Sequence, residues 1–336
     1  MSNHPITIEP SVKIGVALGS GAARGLSHIG VLQELKEIGL KADIIVGSSI
    51  GALVGAAEAS GHLDALESWL RTMTSRDVFR YFNLRPMIRG GVGDARTLID
   101  ELRRRFGSPD IDSLGMPFAA VGTDYETGRE LWMQHGDLWD AVRCSIAIPG
   151  LVTPALYDRR WVIDGGLVNP VPISVCRALG ADLIIAVNLN DDLSGRRQAY
   201  IGRKVQEPNA AQDAEEPGWM DRITSGLRAR TPSTILDWLD SGAQPLDTPS
   251  PSDEEPPGIF SVMNNAINIM QDRITRSRIA GEPADVIIAP RLANMGLLDF
   301  DSADHAISEG RTAVRRMLPL IRYALGGDHE DHPGAP

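Results

Sequence analysis

Residues 42–61, ADIIVGSSIGALVGAAEASG, form the stretch from which the fold is read. ADIIVG (42–47) is a short apolar run ending in glycine, which reads as a buried strand. IGALVGAAEASG (50–61) is rich in small and apolar residues and reads as a closely packed helix. Between them stands Gly47-Ser48-Ser49-Ile50-Gly51, a G-x-S-x-G pattern in a strand–turn–helix context. That context is the one a nucleophile elbow requires, because the sharp turn exposes a serine hydroxyl at a helix N-terminus. A Cβ at either flanking position would clash with strand or helix, hence Gly47 and Gly51. The helix macrodipole and the free N–H groups there favour negative charge. Ser49 is therefore a candidate nucleophile, although so short a pattern also arises by chance in a chain with 34 glycines.

Working outward, KIGVAL (13–18) reads as another buried strand. Leu26, Ile29, Val31, Leu32, Leu35 and Ile38 repeat at helical spacing, and Gly39 supplies a stop. Residues 13–60 thus form a β-α-β-α run, which implies a parallel sheet covered by helices. Further strands are predicted at 117–123, 129–134, 160–163 and 182–188, and helices at 63–75, 94–106, 137–145 and 172–179. After Asn190 the composition shifts. Residues 191–258 are rich in Pro, Ser, Asp and Glu and read as a mobile insertion, because they bury too little apolar area to offset ordering entropy. Two short apolar faces lie inside it, Trp219/Ile223/Leu227 and Ile235/Trp238/Leu239. A helix at 259–279, a strand at 284–290 and a long helix at 302–325 are predicted beyond it. The expected division is a flexible 1–12, a core at 13–190, the insertion, a return to the same domain at 259–325, and a disordered tail at 326–336.

The chain has 336 residues and a formal net charge of −11, with 33 Lys+Arg against 44 Asp+Glu. General nucleic-acid binding needs the opposite balance, so no nucleic-acid partner is expected. Two cysteines, Cys144 and Cys176, make no disulfide framework or metal spacing. The N-terminus MSNHPITIEPSVK lacks the pattern of a signal peptide, and no run reaches the ~18 apolar residues of a membrane span. The expectation is a cytoplasmic protein whose membrane contact, if any, is peripheral at the inner membrane surface. An oligomeric state is not derivable.

Two further motifs carry candidate chemistry. Gly19-Ser20-Gly21-Ala22-Ala23-Arg24-Gly25 again joins a strand to a helix. One reading is a dinucleotide loop, but the spacing is G-x-G-x-x-x-G and the next strand has Asp43 at its start, with no acid at its end to hold a ribose. A second is an oxyanion hole built from N–H groups near Gly21 and Ala22. A third is a tight turn with no ligand. Asp164-Gly165-Gly166 follows the short strand WVI (161–163), where active sites of open α/β sheets gather, although Asp-Gly more often marks an ordinary turn. None of the seven histidines is well placed to activate Ser49. His305 is the one ordered candidate after the acid, and it opens a helix rather than following a strand. A Ser–Asp dyad, with Asp164 accepting the Ser49 proton, is the sharper idea.

Taken together, GSGAARG (19–25), GSSIG (47–51) and DGG (164–166) resemble the patatin-like phospholipase family, in its bacterial branch related to the neuropathy-target-esterase catalytic domain. RGLSHIGVLQEL, SIAIPGLVTP, VIDGGLVNPVP and ADLIIAVN support the likeness, which spans about 13–190 and resumes over 259–322. The resemblance implies a three-layer α/β sandwich with a mostly parallel central sheet and helices on both faces. It also implies acyl-ester hydrolysis of a lipid substrate through an acyl-enzyme, without metal or cofactor. By carry-over Ser49 is the nucleophile and Asp164 the base, with Gly21 and Ala22 in the oxyanion hole. Gly19, Arg24, Gly47, Gly51, Gly165 and Gly166 support them. The family loop commonly has glycine where this chain has Ser20 and Ala22, so the geometry of the hole is less defined. Arg24 matches a basic position of the loop and is expected to anchor it. Residues 78–88 (Val78, Phe79, Tyr81, Phe82, Leu84, Met87, Ile88) are expected either to line the site entrance or to pack as core. The competing reading is a regulatory or scaffold protein on the same fold, acting through protein contacts.

Overall fold

The computed structural model describes residues 12–83, 91–191, 259–296 and 298–326. The flexible N-terminus expected at 1–12 (Val12 apart), the insertion with its Trp219 and Trp238 faces, residues 84–88 and the tail beyond Gly326 lie outside the described residues.

The central sheet has eight strands. They are β1 (Ile14–Leu18), β2 (Ile44–Ser48), β4 (Phe118–Asp124), β5 (Glu130–Met133), β7 (Ala155–Tyr157), β8 (Arg160–Asp164), β9 (Leu183–Val187) and β10 (Val286–Ile288). The hydrogen-bonded path runs β10-β9-β1-β2-β4-β8-β7, with β5 also paired to β4. The first five are mutually parallel, while β5, β7 and β8 bring in antiparallel pairing. Two three-residue strands, β3 (Gly91–Gly93) and β6 (Gly150–Val152), form a separate parallel pair. The sheet is therefore mixed, with a parallel half built by the β-α units and an antiparallel half that short runs such as Ala155–Tyr157 do not announce by periodicity.

The nine helices described are α1 (Ser27–Glu37), α2 (Ile50–Ala59), α3 (Leu63–Leu70), α4 (Ser75–Tyr81), α5 (Arg96–Phe106), α6 (Leu138–Ser145), α7 (Ile173–Ala178), α8 (Ile259–Gly281) and α9 (Ala303–Ala324). All but α4 coincide with predicted helices. Its signal is a capping box rather than an apolar stripe, with the Thr74 N–H and hydroxyl both donating to Asp77 Oδ2.

Alternate residues of the strands feed two separate apolar clusters. Val16, Leu18 and Ile45 join the larger one beneath α1, α2 and α9, while Ala17, Ile44 and Val46 join a smaller one beneath α7. This two-sided burial makes the parallel strands read as continuous apolar runs. Three Ala-Asp pairs set the strand starts. Asp43, Asp182 and Asp285 each stand just before β2, β9 and β10 and accept the N–H of Ile14, Lys13 and Ile184 on the adjacent strand, at 2.8, 2.9 and 2.7 Å. Asp43 thus works at the end of the sheet opposite the glycine turns.

Strand β4 determines where the ends of the chain's motifs meet. Val121 pairs with Ser48 of β2 on one side and with Trp132 of β5 on the other. The next residue, Gly122, pairs with Asp164 of β8 and with Leu131 of β5. Since β5 occupies one side of β4 at both Val121 and Gly122, β2 and β8 share the other side and abut at their C-terminal ends.

Candidate active site

At that junction Ser49 leaves β2 and enters α2. Its φ of 58° and ψ of −123° lie where L-residues are strained, a conformation costing about 1–3 kcal/mol. The surroundings enforce it. A Cβ on Gly47 would lie 2.3 Å from Ala52 N, and one on Gly51 would lie 2.1 Å from Leu18 O, so only glycine lets strand and helix close on the turn. The Ser49 N–H donates to Ser145 Oγ at 2.8 Å, and the Ser145 hydroxyl donates to Val121 O at 2.6 Å.

Ser49 Oγ donates to Asp164 Oδ2 at 2.6 Å, across 115 residues of sequence. The other carboxylate oxygen of Asp164 accepts the Gly166 N–H at 2.7 Å. Its backbone is tied through Asp164 N–H to Ala147 O and Thr123 Oγ1 to Asp164 O. Ser49 is 3% exposed and Asp164 is 1% exposed. Burial pushes the Asp164 carboxyl up from 3.8 to about 7, against the opposing effect of its hydrogen bonds from Ser49 and Gly166. A Cβ on Gly165 would lie 2.2 Å from Val121 O and one on Gly166 2.4 Å from Gln271 Nε2, so both glycines let neighbouring backbone or side chain approach the acid.

The first glycine loop lies beside this pair. Gly19 N–H donates to Val187 O and Ser20 N–H to Pro170 O, which ties the loop to the ends of its neighbours. The next two N–H groups, of Gly21 and Ala22, take no backbone carbonyl among the described residues. Both residues border the same cavity as Ser49 and Asp164. Ala22 holds a φ of 49°, the left-handed conformation that favours glycine, so its side chain is accommodated under strain. Arg24 is buried and reaches Gly21 O, Leu189 O and Asn190 Oδ1, an anchoring arrangement for the loop. Beneath it the wholly buried His28 meets Gly19 O through Nε2 at 2.8 Å, and burial holds its pKa down at about 4. A carbonyl only accepts, so Nε2 carries the proton and the ring is a neutral clamp on the loop. No three His, Cys, Asp or Glu side chains among the described residues gather as a metal site.

Two cavities meet at Ser49. An apolar one is lined by Leu53, Trp69, Met73, Val78, Phe82 and Phe300 among others. Of the 78–88 stretch, Val78 and Phe82 line this cavity while Tyr81 packs edge-on against Trp69. The second, smaller one is bordered by Asp164, the glycine loop and one face of α8. Sequence reasoning missed Ser145, whose stretch SIAIPGLVTP entered only through the resemblance, and the α8 face, whose amides give no recognisable pattern.

The arrangement of these motifs has close counterparts in known proteins. Residues 16–177 match the family described as "Patatin-like phospholipase". An "Uncharacterized NTE family protein" of Mycobacterium tuberculosis is 35% identical over 332 residues, covering 92% of each chain. The chain belongs to the NTE branch of the patatin-like phospholipase family. A second NTE family protein of Mycobacterium tuberculosis is 28% identical over 310 residues, 91% of this chain and 46% of that longer one. "Patatin-like phospholipase domain-containing protein 6" of Mus musculus is 32% identical over 222 residues, 59% of this chain and 16% of its own length. Membership in the patatin-like phospholipase family supports lipid acyl hydrolysis as the general class of activity. No described helix is long and apolar enough to cross a membrane.

Proposed function

We propose that this protein is a serine lipid-ester hydrolase in which Ser49 is the nucleophile and Asp164 the general base. The observation that carries the reading is the 2.6 Å hydrogen bond from Ser49 Oγ to the buried Asp164 carboxylate. A carboxylate is a weak base in water, but a carboxyl raised to about 7 by burial is matched to proton transfer near neutral pH. Ser49 Oγ attacks the ester carbonyl carbon while its proton passes to Asp164 Oδ2. The Gly21 and Ala22 amides stabilise the oxyanion, and one such donor contributes about 2.7–4 kcal/mol. The intermediate collapses, the carbon–oxygen bond to the alcohol breaks, and Asp164 returns the proton to the departing oxygen. Water, deprotonated by the same carboxylate, then cleaves the acyl-enzyme.

The apolar cavity beside Ser49 supports an acyl chain as the part of the substrate held there. Within this proposal residues 13–190 and 259–325 form one catalytic unit that acts in the cytoplasm and meets lipid by peripheral contact. The test is labelling with a fluorophosphonate probe together with p-nitrophenyl-ester hydrolysis. Ser49 reacts covalently with the probe, and Ser49→Ala abolishes both labelling and turnover. Full turnover in folded Ser49→Ala protein would overturn the assignment, as would a wild-type protein that neither reacts nor turns over.

A further inference from the structure

The two cavities share Ser49, Ala22 and Ile148 but differ in one decisive residue, since Asp164 borders only the smaller one. If Asp164 returns the proton to the leaving oxygen, that oxygen departs on the side of the smaller cavity. Three amide side chains of α8, Asn264, Asn268 and Gln271, face this space at i, i+4 and i+7, one stripe of the helix. Gln271 is buried and accepts from Ser20 Oγ through Oε1 at 3.2 Å, which registers the helix on the glycine loop. Arg278, two turns further on, holds α8 against β5 through Glu130 at 2.9 Å. Neither the Asn264 nor the Asn268 side chain is hydrogen-bonded to another described residue. Each offers both donors and an acceptor to the cavity. Among the described residues no Lys, Arg or His borders the space, and the one charged group there is the Asp164 carboxyl.

We infer that the smaller cavity is the leaving-group subsite, and that Asn264, Asn268 and Gln271 select an ester whose alcohol is an uncharged polyol such as glycerol. The inference rests on the hydrolase reading above and deepens it. Amides meet hydroxyl groups as both donor and acceptor. A phosphate placed there would face a carboxylate with no cation among the described residues to offset it. A plain alkyl alcohol would leave the amides unpaired, and sites built to hydrogen-bond a hydroxyl discriminate strongly against analogues lacking it.

The experiment compares three water-soluble octanoyl esters on the full-length protein: the monoacylglycerol, the methyl ester and the lysophosphatidic acid. The expected kcat/KM for the monoacylglycerol exceeds each of the others by about tenfold or more. In Asn264→Leu/Asn268→Leu protein the monoacylglycerol-to-methyl-ester ratio falls by about tenfold. That ratio is independent of the fraction of protein folded, because both esters meet the same population. Equal rates for the glycerol and methyl esters, a preference for the phosphate-bearing ester, or a ratio unmoved in the variant would each overturn the inference. Fluorophosphonate labelling separates the two readings. Labelled Ser49 without alcohol selectivity removes this inference alone, whereas unlabelled Ser49 with no ester cleaved removes both.

Discussion

Ser145 Oγ accepts the backbone N–H of Ser49 at 2.8 Å and its hydroxyl donates a hydrogen bond to Val121 O at 2.6 Å, so one buried hydroxyl bridges the elbow to the strand beside it. The bridge holds a serine whose φ of 58° would otherwise relax. Removing the hydroxyl leaves a buried N–H unpaired, a loss of about 1–3 kcal/mol. Ser145→Ala therefore lowers kcat by about tenfold or more with KM little changed, and slows fluorophosphonate labelling of Ser49 to match. A folded Ser145→Ala protein with wild-type kcat would contradict this role.

The protonation of Asp164 sets the pH dependence. With its carboxyl near 7, the form able to accept the Ser49 proton is scarce in acid. The kcat/KM for an uncharged ester rises about tenfold per pH unit below that value and levels above it. A profile flat from pH 5 to pH 8 would remove Asp164 as the base.

The same burial destabilises the fold as pH rises. Folded Asp164 holds its proton up to about 7, whereas the unfolded chain releases it near 3.8. The folded state binds more protons between those values, so stability falls across that window as pH increases, by on the order of 4 kcal/mol. Asp164→Asn carries no charge there. At pH 8 it abolishes ester hydrolysis while its Tm is higher than that of the wild type. Thermal denaturation of both proteins at pH 5 and pH 8 checks the sign, since the difference must shrink at the lower pH.

The apolar cavity makes a prediction about chain length. Met73 is half-buried in its lining, so Met73→Trp fills space that the distal carbons of a long acyl chain would occupy. The ratio of p-nitrophenyl palmitate to p-nitrophenyl butyrate hydrolysis drops, by about tenfold if one or two methylenes lose their burial and their fit. An unchanged ratio would place the acyl chain elsewhere.

Helix packing beneath the glycine loop depends on two glycines. A Cβ on Gly30 of α1 would lie 1.9 Å from Ile307 O, and one on Gly310 of α9 would lie 2.0 Å from Ser27 O. The helices touch backbone to backbone at both points, and no flexible side chain is available to give way. Gly310→Ala destabilises the protein by about 1–3 kcal/mol, read from the urea midpoint at an unchanged m value. A midpoint equal to the wild type would mean the helices are free to separate.

Much of this architecture is legible in particular residues. Gly39 ends α1 and the apolar run at 44–48 is a strand, as local spacing predicts. The strands β3, β6 and β7 have three residues each, too few for any period to register. Ser145 closes a helix with an unremarkable sequence, and its value comes from where β2 and β4 happen to pass. Asn264, Asn268 and Gln271 read as an ordinary polar face until α8 is laid over the glycine loop.

What the sequence by itself determined were the local conformations: the sharp turns at 19–25, 47–51 and 164–166, and the β-α units that carry them. Those follow from steric rules acting over a few residues, since only glycine admits the approaches that Gly47, Gly51 and Gly165 require. Tertiary structure alone decided that Ser49 and Asp164 touch. Their meeting depends on the register of β4, where consecutive residues Val121 and Gly122 receive the ends of β2 and β8. Register is a long-range property of strand pairing, and so is the burial that raises the Asp164 carboxyl to about 7.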